Sequence, residues 1–276
     1  MSKKTVFAIE TATSRGSIAL LLRGRVAETR CIGERFEHSR TLIPHAQQLL
    51  KSHGVDFCDL DLICVSKGPG SFTGLRVGIA AAKGLALGLG IPVVGISTFD
   101  VLFAGYLHSL TRVNASAGVS SPISHPRIHL LFDAQKGEFF AQLRRRSGTP
   151  HAPQIILESQ IASVVAPNTV LVSPQLSKLR GLLPFPYPPP RGLLTIPSTP
   201  PHGGEGQGEG AAGITYDIKD RFPDAADLAT LGLKKFLQQK RGDHDLQPFY
   251  LRKTDAELLF KNKPRSVFRW ERGANA

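Results

Sequence analysis

Cysteine, methionine, tryptophan and tyrosine are all scarce in this sequence: 3, 1, 1 and 4 among 276 residues. Cys31, Cys58 and Cys64 are scattered, with no Cys-x-x-Cys pair and no even set. That excludes a disulfide scaffold and argues against a structural zinc site, and it fits a reducing cytoplasm. Long apolar runs are missing too. Thr5–Ile9 is too short for the core of a signal peptide, and Gly78–Ile96 is broken by Lys83, Pro92 and several glycines, a poor bilayer span. No fixed repeat runs through the chain, so collagen, coiled-coil and solenoid architectures drop out. Acidic side chains are outnumbered, 22 against 34 basic, for a formal net charge of +12. Such a balance suggests a polyanionic partner, nucleic acid first, or a surface that is merely well solvated. With 41% apolar and 20% charged residues, the chain is globular rather than disordered. Its length suits one large domain or two small ones.

The basic residues are spread along the chain, so any binding surface must be assembled by folding. The densest runs are Arg144-Arg145-Arg146 and the stretch from Lys261 to Arg272. Residues 181–213 stand apart, with 8 of the 20 prolines and 8 of the 27 glycines. Pro188-Pro189-Pro190 predicts extended polyproline and the glycine-rich run 202–210 flexible coil, together an inserted spacer. A milder insertion is expected at 107–126.

Short apolar, β-prone segments at 5–9, 17–22 and 26–31, separated by polar turns, predict an antiparallel meander. Apolar residues Leu42, Ile43, Ala46, Leu49 and Leu50 form one stripe of a helix over 37–53, with Pro44 predicting a kink or late start. A buried strand over 61–66, a helix over 73–89 and a strand over 92–96 follow. This alternation makes an α/β fold. Further on, a hairpin is expected at 127–132 and 138–144, a short strand at 169–172 and a helix at 224–240. Asp224 and Asp227 open that helix and Lys234, Lys235 and Lys240 close it, which suits the helix dipole.

The most informative stretch leads from strand to helix: Ser66-Lys67-Gly68-Pro69-Gly70-Ser71-Phe72-Thr73-Gly74-Leu75-Arg76-Val77-Gly78. It meets neither the Walker A pattern, since Leu75 and Arg76 follow Gly74, nor the dinucleotide fingerprint, whose third glycine would come one residue earlier. Gly68, Gly70, Ser71, Thr73, Gly74 and Arg76 are nonetheless candidates for an anion-binding loop at a helix N-terminus. The alternative is that the glycines only permit a tight turn, with Ser71 or Thr73 as cap. Gly74, Gly78 and Ala82 are spaced by four, as are Gly84 and Gly88. Each helical glycine costs about 0.5–1 kcal/mol relative to alanine. Several together imply that another backbone comes very close, from this chain or from another subunit. Elsewhere no catalytic constellation forms. His38, beside Glu37 at a helix start, is a candidate acid or base or else caps and packs, His45 and His53 lack the i, i+4 spacing of metal ligands, no Gly-x-Ser-x-Gly elbow exists, Cys64 lies in a buried strand, and Asp133 and Glu138 flank a turn.

The run Gly68 to Gly78 resembles the signature of the TsaB (YeaZ) family. Ala8-Ile9-Glu10-Thr11-Ala12-Thr13, Glu37-His38-Ser39 with Leu42 and Pro44, Asp133 to Glu138, and Pro248-Phe249-Tyr250-Leu251-Arg252 resemble further segments of that family. Glu10 stands where the family more often has aspartate. The resemblance implies a two-lobed α/β fold of the actin-like ATPase and sugar-kinase type (ASKHA, ribonuclease H-like). The lobes would be 1–104 and 105–223, the second carrying insertions at about 107–126 and 181–213. A helix at 224–241 would pack back on the core, followed by a basic tail at 242–276. It also implies a cytoplasmic, non-catalytic relative of TsaD, the subunit that transfers threonylcarbamoyl to the adenosine next to the anticodon of tRNA. The metal-binding His-x-x-x-His of TsaD falls in register with Thr98 and Leu102, which are not metal ligands, so no metal or cofactor is expected. Implied partners are a TsaD-type subunit, a TsaE-type ATPase and tRNA through the complex, with a competing homodimer as a further form and no membrane. The expected interface is Leu42, Ala46, Leu49, Gly74, Gly78, Ala82 and Leu85. The opposed reading is a stand-alone ATPase, kinase or glycoprotease-like enzyme of the same fold.

Overall fold

The computed structural model describes residues 4–33, 38–117, 127–164, 169–175, 178–179, 182, 194–196, 214–243 and 245–252. The polyproline run 188–190, the glycine-rich run 202–210 and residues 118–126 and 253–276 lie outside them. The chain begins as an antiparallel meander, β1 (Val6–Glu10), β2 (Ser17–Leu22) and β3 (Arg25–Cys31). After α1 (His38–Ser52), strand β4 (Leu62–Gly68) pairs parallel to β1. Beyond α2 (Phe72–Leu89), β5 (Val93–Ser97) pairs parallel to β4. The first sheet therefore runs β3-β2-β1-β4-β5.

Alternation along β1 explains its two-sided burial. Phe7 and Ile9 join Leu42, Ala46 and Leu49 of α1 and Ile79, Ala82 and Ala86 of α2 on one face. Val6 and Ala8 meet Ala225, Leu228 and Ala229 of α5 (Ala225–Gln239) on the other. Helix α1 continues through Pro44 rather than starting after it. Pro44 is on the exposed side, where the Arg40 carbonyl left without a donor can reach water. Helix α2 is apolar and long enough for a membrane by length and composition alone. Its buried stripe, however, is fitted to the sheet.

The second sheet runs β10-β11-β9-β6-β7-β8. Its members are β6 (Arg127–Gln135), β7 (Glu138–Arg144), β8 (Gln154–Leu157), β9 (Thr169–Ser173), β10 (Leu194–Ile196) and β11 (Ile214–Asp220), with the short α4 (Ile161–Val164) beside β8. The β6–β7 turn holds Gln135, Lys136 and Gly137 at positive φ.

Helix α3 (Thr98–Ala117), for which the sequence pattern predicts no element, joins the lobes. Val101 packs on the first sheet with α5, while Phe99, Leu102 and Tyr106 pack on Ile128, Leu130 and Phe132 of the second. The boundary expected at residue 104 thus falls inside a helix shared by both cores. The insertion expected from 107 begins as helix up to Ala117. Part of the expected spacer, Leu194–Ile196, is an edge strand on β11. Residues 245–252, expected as the start of the basic tail, strap the lobes together. Leu246 enters the first core, the Phe249 N–H bonds the Lys67 carbonyl at 2.6 Å, and Arg252 Nη1 bonds the Ala134 carbonyl at 3.1 Å.

Candidate functional site

The signature loop lies where β4 hands over to α2, against the turn that follows β1. Its glycines answer to that turn. A Cβ on Gly70 would strike the Ala12 carbonyl, one on Gly74 the Thr11 carbonyl, and one on Gly78 the Thr11 hydroxyl. Thr11 Oγ1 donates to the Gly74 carbonyl at 2.9 Å, and the Ser71 N–H donates to the Ala12 carbonyl at 2.7 Å. Ser71 caps α2 by accepting from the Gly74 N–H at 3.2 Å, and the Leu75 N–H bonds the Ser71 carbonyl. The amides of Ser71, Gly74 and Leu75 thus have protein acceptors. Gly68 packs against the Phe249 carbonyl, and Thr73 is exposed. Arg76, a candidate of the anion-binding loop, lies 3.9 Å over the Phe72 ring, and its Nε donates to the Tyr250 hydroxyl at 3.0 Å. Its partners are aromatic groups of α2 and the strap.

The expected interface residues are also drawn inward. Leu42, Ala46, Leu49, Gly74, Gly78 and Ala82 are buried within the protomer, and Leu85 is partly buried against the same core. The partner that glycine spacing predicted for α2 is the β1 turn of the same chain. What α1 and α2 offer outward is a different stripe: Ile43 and Gln47 on α1, and Ala80, Gly84, Leu87 and Gly88 on α2. Leu87 is 85% exposed, and a Cβ at Gly84 or Gly88 would meet only open space.

Between the signature loop, the β6–β7 turn and the strap is a cavity of about 330 Å³, lined by Ser71, Phe72, Gln135, Phe140, Tyr250 and Arg252 among others. Its charged groups are already paired. Asp133 takes Lys178 at 3.1 Å, and Arg252 sits 3.4 Å from Glu138. The histidines on α1 and after it are tied down: His45 Nδ1 lies 2.8 Å from the Thr41 carbonyl and His53 Nε2 3.0 Å from Glu28. The side chain of His38 lies outside the described residues. Asp227, expected only to suit the helix dipole, is buried and held by His108 at 2.5 Å and Arg221 at 3.1 Å. Among the described residues no three His, Cys, Asp or Glu side chains cluster as metal ligands. Thr98, fully buried, begins α3, and Leu102 lies in the hydrophobic cluster between the lobes. A divalent metal does not fit that pair: one residue offers a neutral hydroxyl, the other no lone pair.

One buried acid remains. Glu10 is fully enclosed at the end of β1, with Oε1 accepting the Ala12 N–H at 2.7 Å. Its Oε2 and the neighbouring Ser66 hydroxyl lack hydrogen bonds of ordinary geometry. Burial pushes the Glu10 carboxyl up to about 7; the Ala12 N–H and Ser66 pull the other way, and the Asp224 charge adds to the rise. The folded protein therefore keeps a proton that the unfolded chain releases near pH 4.5. The resulting stability is complete below that pH and is lost as pH rises through 7, by about 3 kcal/mol in all. Glu10→Gln is expected to remove most of this slope in urea unfolding at pH 5 and pH 8. An unchanged slope would assign it to another group.

Four similarities bear on what this architecture resembles. The sequence family described as "TsaD: tRNA N6-adenosine threonylcarbamoyltransferase" matches residues 35–154. The TsaB protein of Escherichia coli K12 is 39% identical over 141 residues, 51% of this chain and 55% of that protein. The TsaB protein of Bacillus subtilis 168 is 34% identical over 139 residues, 50% and 54% respectively. Over these stretches the chain is similar to TsaB proteins. In structure, YeaZ from Pseudomonas aeruginosa superposes with a TM-score of 0.62 at 21% identity, covering 90% of this chain and all of that one. The shared fold is a two-lobed α/β architecture with one sheet in each lobe. The sequence matches span about half the length of these TsaB relatives. The family match over residues 35–154 takes in α1, the signature loop and α2, the elements that carry the outward stripe.

Proposed function

We propose that this chain belongs to the TsaB family and serves the biosynthesis of threonylcarbamoyladenosine on tRNA as a partner subunit. In this reading it pairs with a TsaD-type transferase through the outer stripe of α1 and α2 and does not carry out the transfer. The observation that carries this reading is the exposed Leu87 beside the open Gly84 and Gly88. A small, apolar helical face with no Cβ at two positions admits a second helix at close range. Leu102 in the inter-lobe core supports the non-catalytic half, since the resemblance puts it in register with a metal-ligating histidine of the transferase. The paired charges around the cleft cavity point the same way. A TsaE-type ATPase would join the same cytoplasmic assembly, and a homodimer through the same stripe would compete with it.

Reconstitution tests this reading. With threonylcarbamoyl-AMP and unmodified tRNA, the chain alone should transfer nothing, and a TsaD-type subunit should gain at least tenfold in rate when it is added. Transfer or ATP hydrolysis by the chain alone would favour the enzyme reading instead.

A further inference from the structure

Within the second sheet, the β6–β7–β8 strands are electrostatically polarised along their length. From Val101 to Phe132, and again from Phe139 to Leu157, the sequence contains no aspartate or glutamate. The acids between and after these stretches, Asp133, Glu138 and Glu158, all lie at the β6–β7 turn, because Glu138 pairs with Leu157 and the Glu158 N–H bonds the Gly137 carbonyl. Lys178 and Arg252 neutralise them there.

The opposite end is basic. Ile128 pairs with Arg144, so Arg127 and Arg145 emerge side by side where β6 begins and β7 ends. The His151 N–H bonds the Leu143 carbonyl at 3.2 Å, bringing His151 to the same end. Arg144 is the inward member: it is buried, pairs with Asp100 and lies over the Phe103 ring. Arg127, Arg145, Arg146 and His151 are exposed, and among the described residues no carboxylate pairs with the three arginines. The neighbouring His129 registers the resulting field. Burial first, then Arg127 and His151, push its imidazole down to about 4, so it is neutral.

We propose that this basic end, with Arg127, Arg145, Arg146 and His151, is a contact surface for the phosphate backbone of RNA. Closely spaced guanidinium groups suit phosphate oxygens, which they bind bidentately. A protein partner would want apolar anchors at the centre of the patch. The exposed large apolar side chains of the described residues lie elsewhere; in this lobe Leu157 is at the acidic end, opposite Glu138. Contacts of this kind position RNA without reading its sequence. The surface is on the lobe that does not carry the α1–α2 stripe, so RNA and a paired subunit can be held together.

The inference rests on the tRNA-modification reading, and the two can fail separately. The probe is an unmodified tRNA transcript, titrated with the full chain by fluorescence anisotropy over a range of salt. R145A/R146A should weaken binding about tenfold and reduce the slope of log affinity against log salt by about 1.5, two phosphate contacts. R145K/R146K should stay within about threefold of the parent. R23A/R25A removes the same charge from the exposed β2–β3 turn and should leave binding within about twofold. Unchanged binding by R145A/R146A overturns the proposal, as does an equal loss in R23A/R25A, which would mean diffuse net charge. It is also overturned if the arginines govern capture of phosphatidylserine vesicles or an acidic peptide but not of tRNA. Pairing with a TsaD-type subunit is followed in parallel. Its absence in the parent protein sinks the partner-subunit reading, while intact pairing with unchanged RNA binding sinks only this one.

Discussion

Gly74→Ala is expected to destabilise the first lobe by about 3 kcal/mol or more, while Gly84→Ala in the same helix should stabilise it by about 0.5–1 kcal/mol. At Gly74 the added carbon meets the carbonyl of Thr11, a backbone atom with nowhere to go. It also forces apart the bond from Thr11 Oγ1 to the Gly74 carbonyl that ties α2 to β1. Overpacking a side chain costs about 1–3 kcal/mol, and a backbone neighbour puts this case at or beyond the top of that range. At Gly84 nothing lies near the new carbon, so only the helix-propensity gain remains. Urea unfolding followed by far-UV circular dichroism reads both. Equal effects at the two positions would show that α2 does not sit against the β1 turn as described.

The second large effect is on assembly. Leu87→Asp should leave the chain's own stability within about 0.5 kcal/mol, because the side chain is 85% exposed. It should weaken pairing with a TsaD-type subunit at least 100-fold, since a central anchor of an interface is worth about 2–4 kcal/mol or more and a buried, unpaired carboxylate adds to the loss. Gly84→Arg should do the same by filling the space a partner helix would occupy. By contrast, Gly78→Leu is a poor probe of assembly, because its side chain would collide with Thr11 within the protomer. Isothermal titration against the TsaD-type subunit separates these variants. Parent-like affinity for Leu87→Asp would remove the stripe from the account.

The first sheet was legible from residue pattern because its strands and helices are short, strongly periodic and bounded by turns. Segments expected at 17–22, 61–66 and 73–89 correspond to β2, β4 and α2 within a few residues. Helix α3 was not legible because it faces two cores at once. With Val101 on one side and Phe99, Leu102 and Tyr106 on the other, its apolar residues blur into no single stripe. Strand β11 depends on parallel pairing with the distant β9, which no local pattern announces. At the site, the glycine spacing correctly signalled a close backbone approach but could not say to what. The answer, Thr11, lies far away in sequence. The strap was illegible for the same reason: Phe249, Tyr250 and Arg252 find Lys67, Arg76 and Ala134 only after folding. The buried Glu10 was visible as a residue, but its enclosure and its shifted proton affinity depend on α5 arriving over β1 and β2.

Hydrogen exchange of the chain, free and mixed with a TsaD-type subunit, tests the central claim most directly. The account predicts added protection on the peptides of α1 and α2 that carry Ile43, Gln47, Ala80, Gly84 and Leu87, with little change across the second sheet. Protection confined to the second lobe, or none anywhere when the two proteins are mixed, would contradict it.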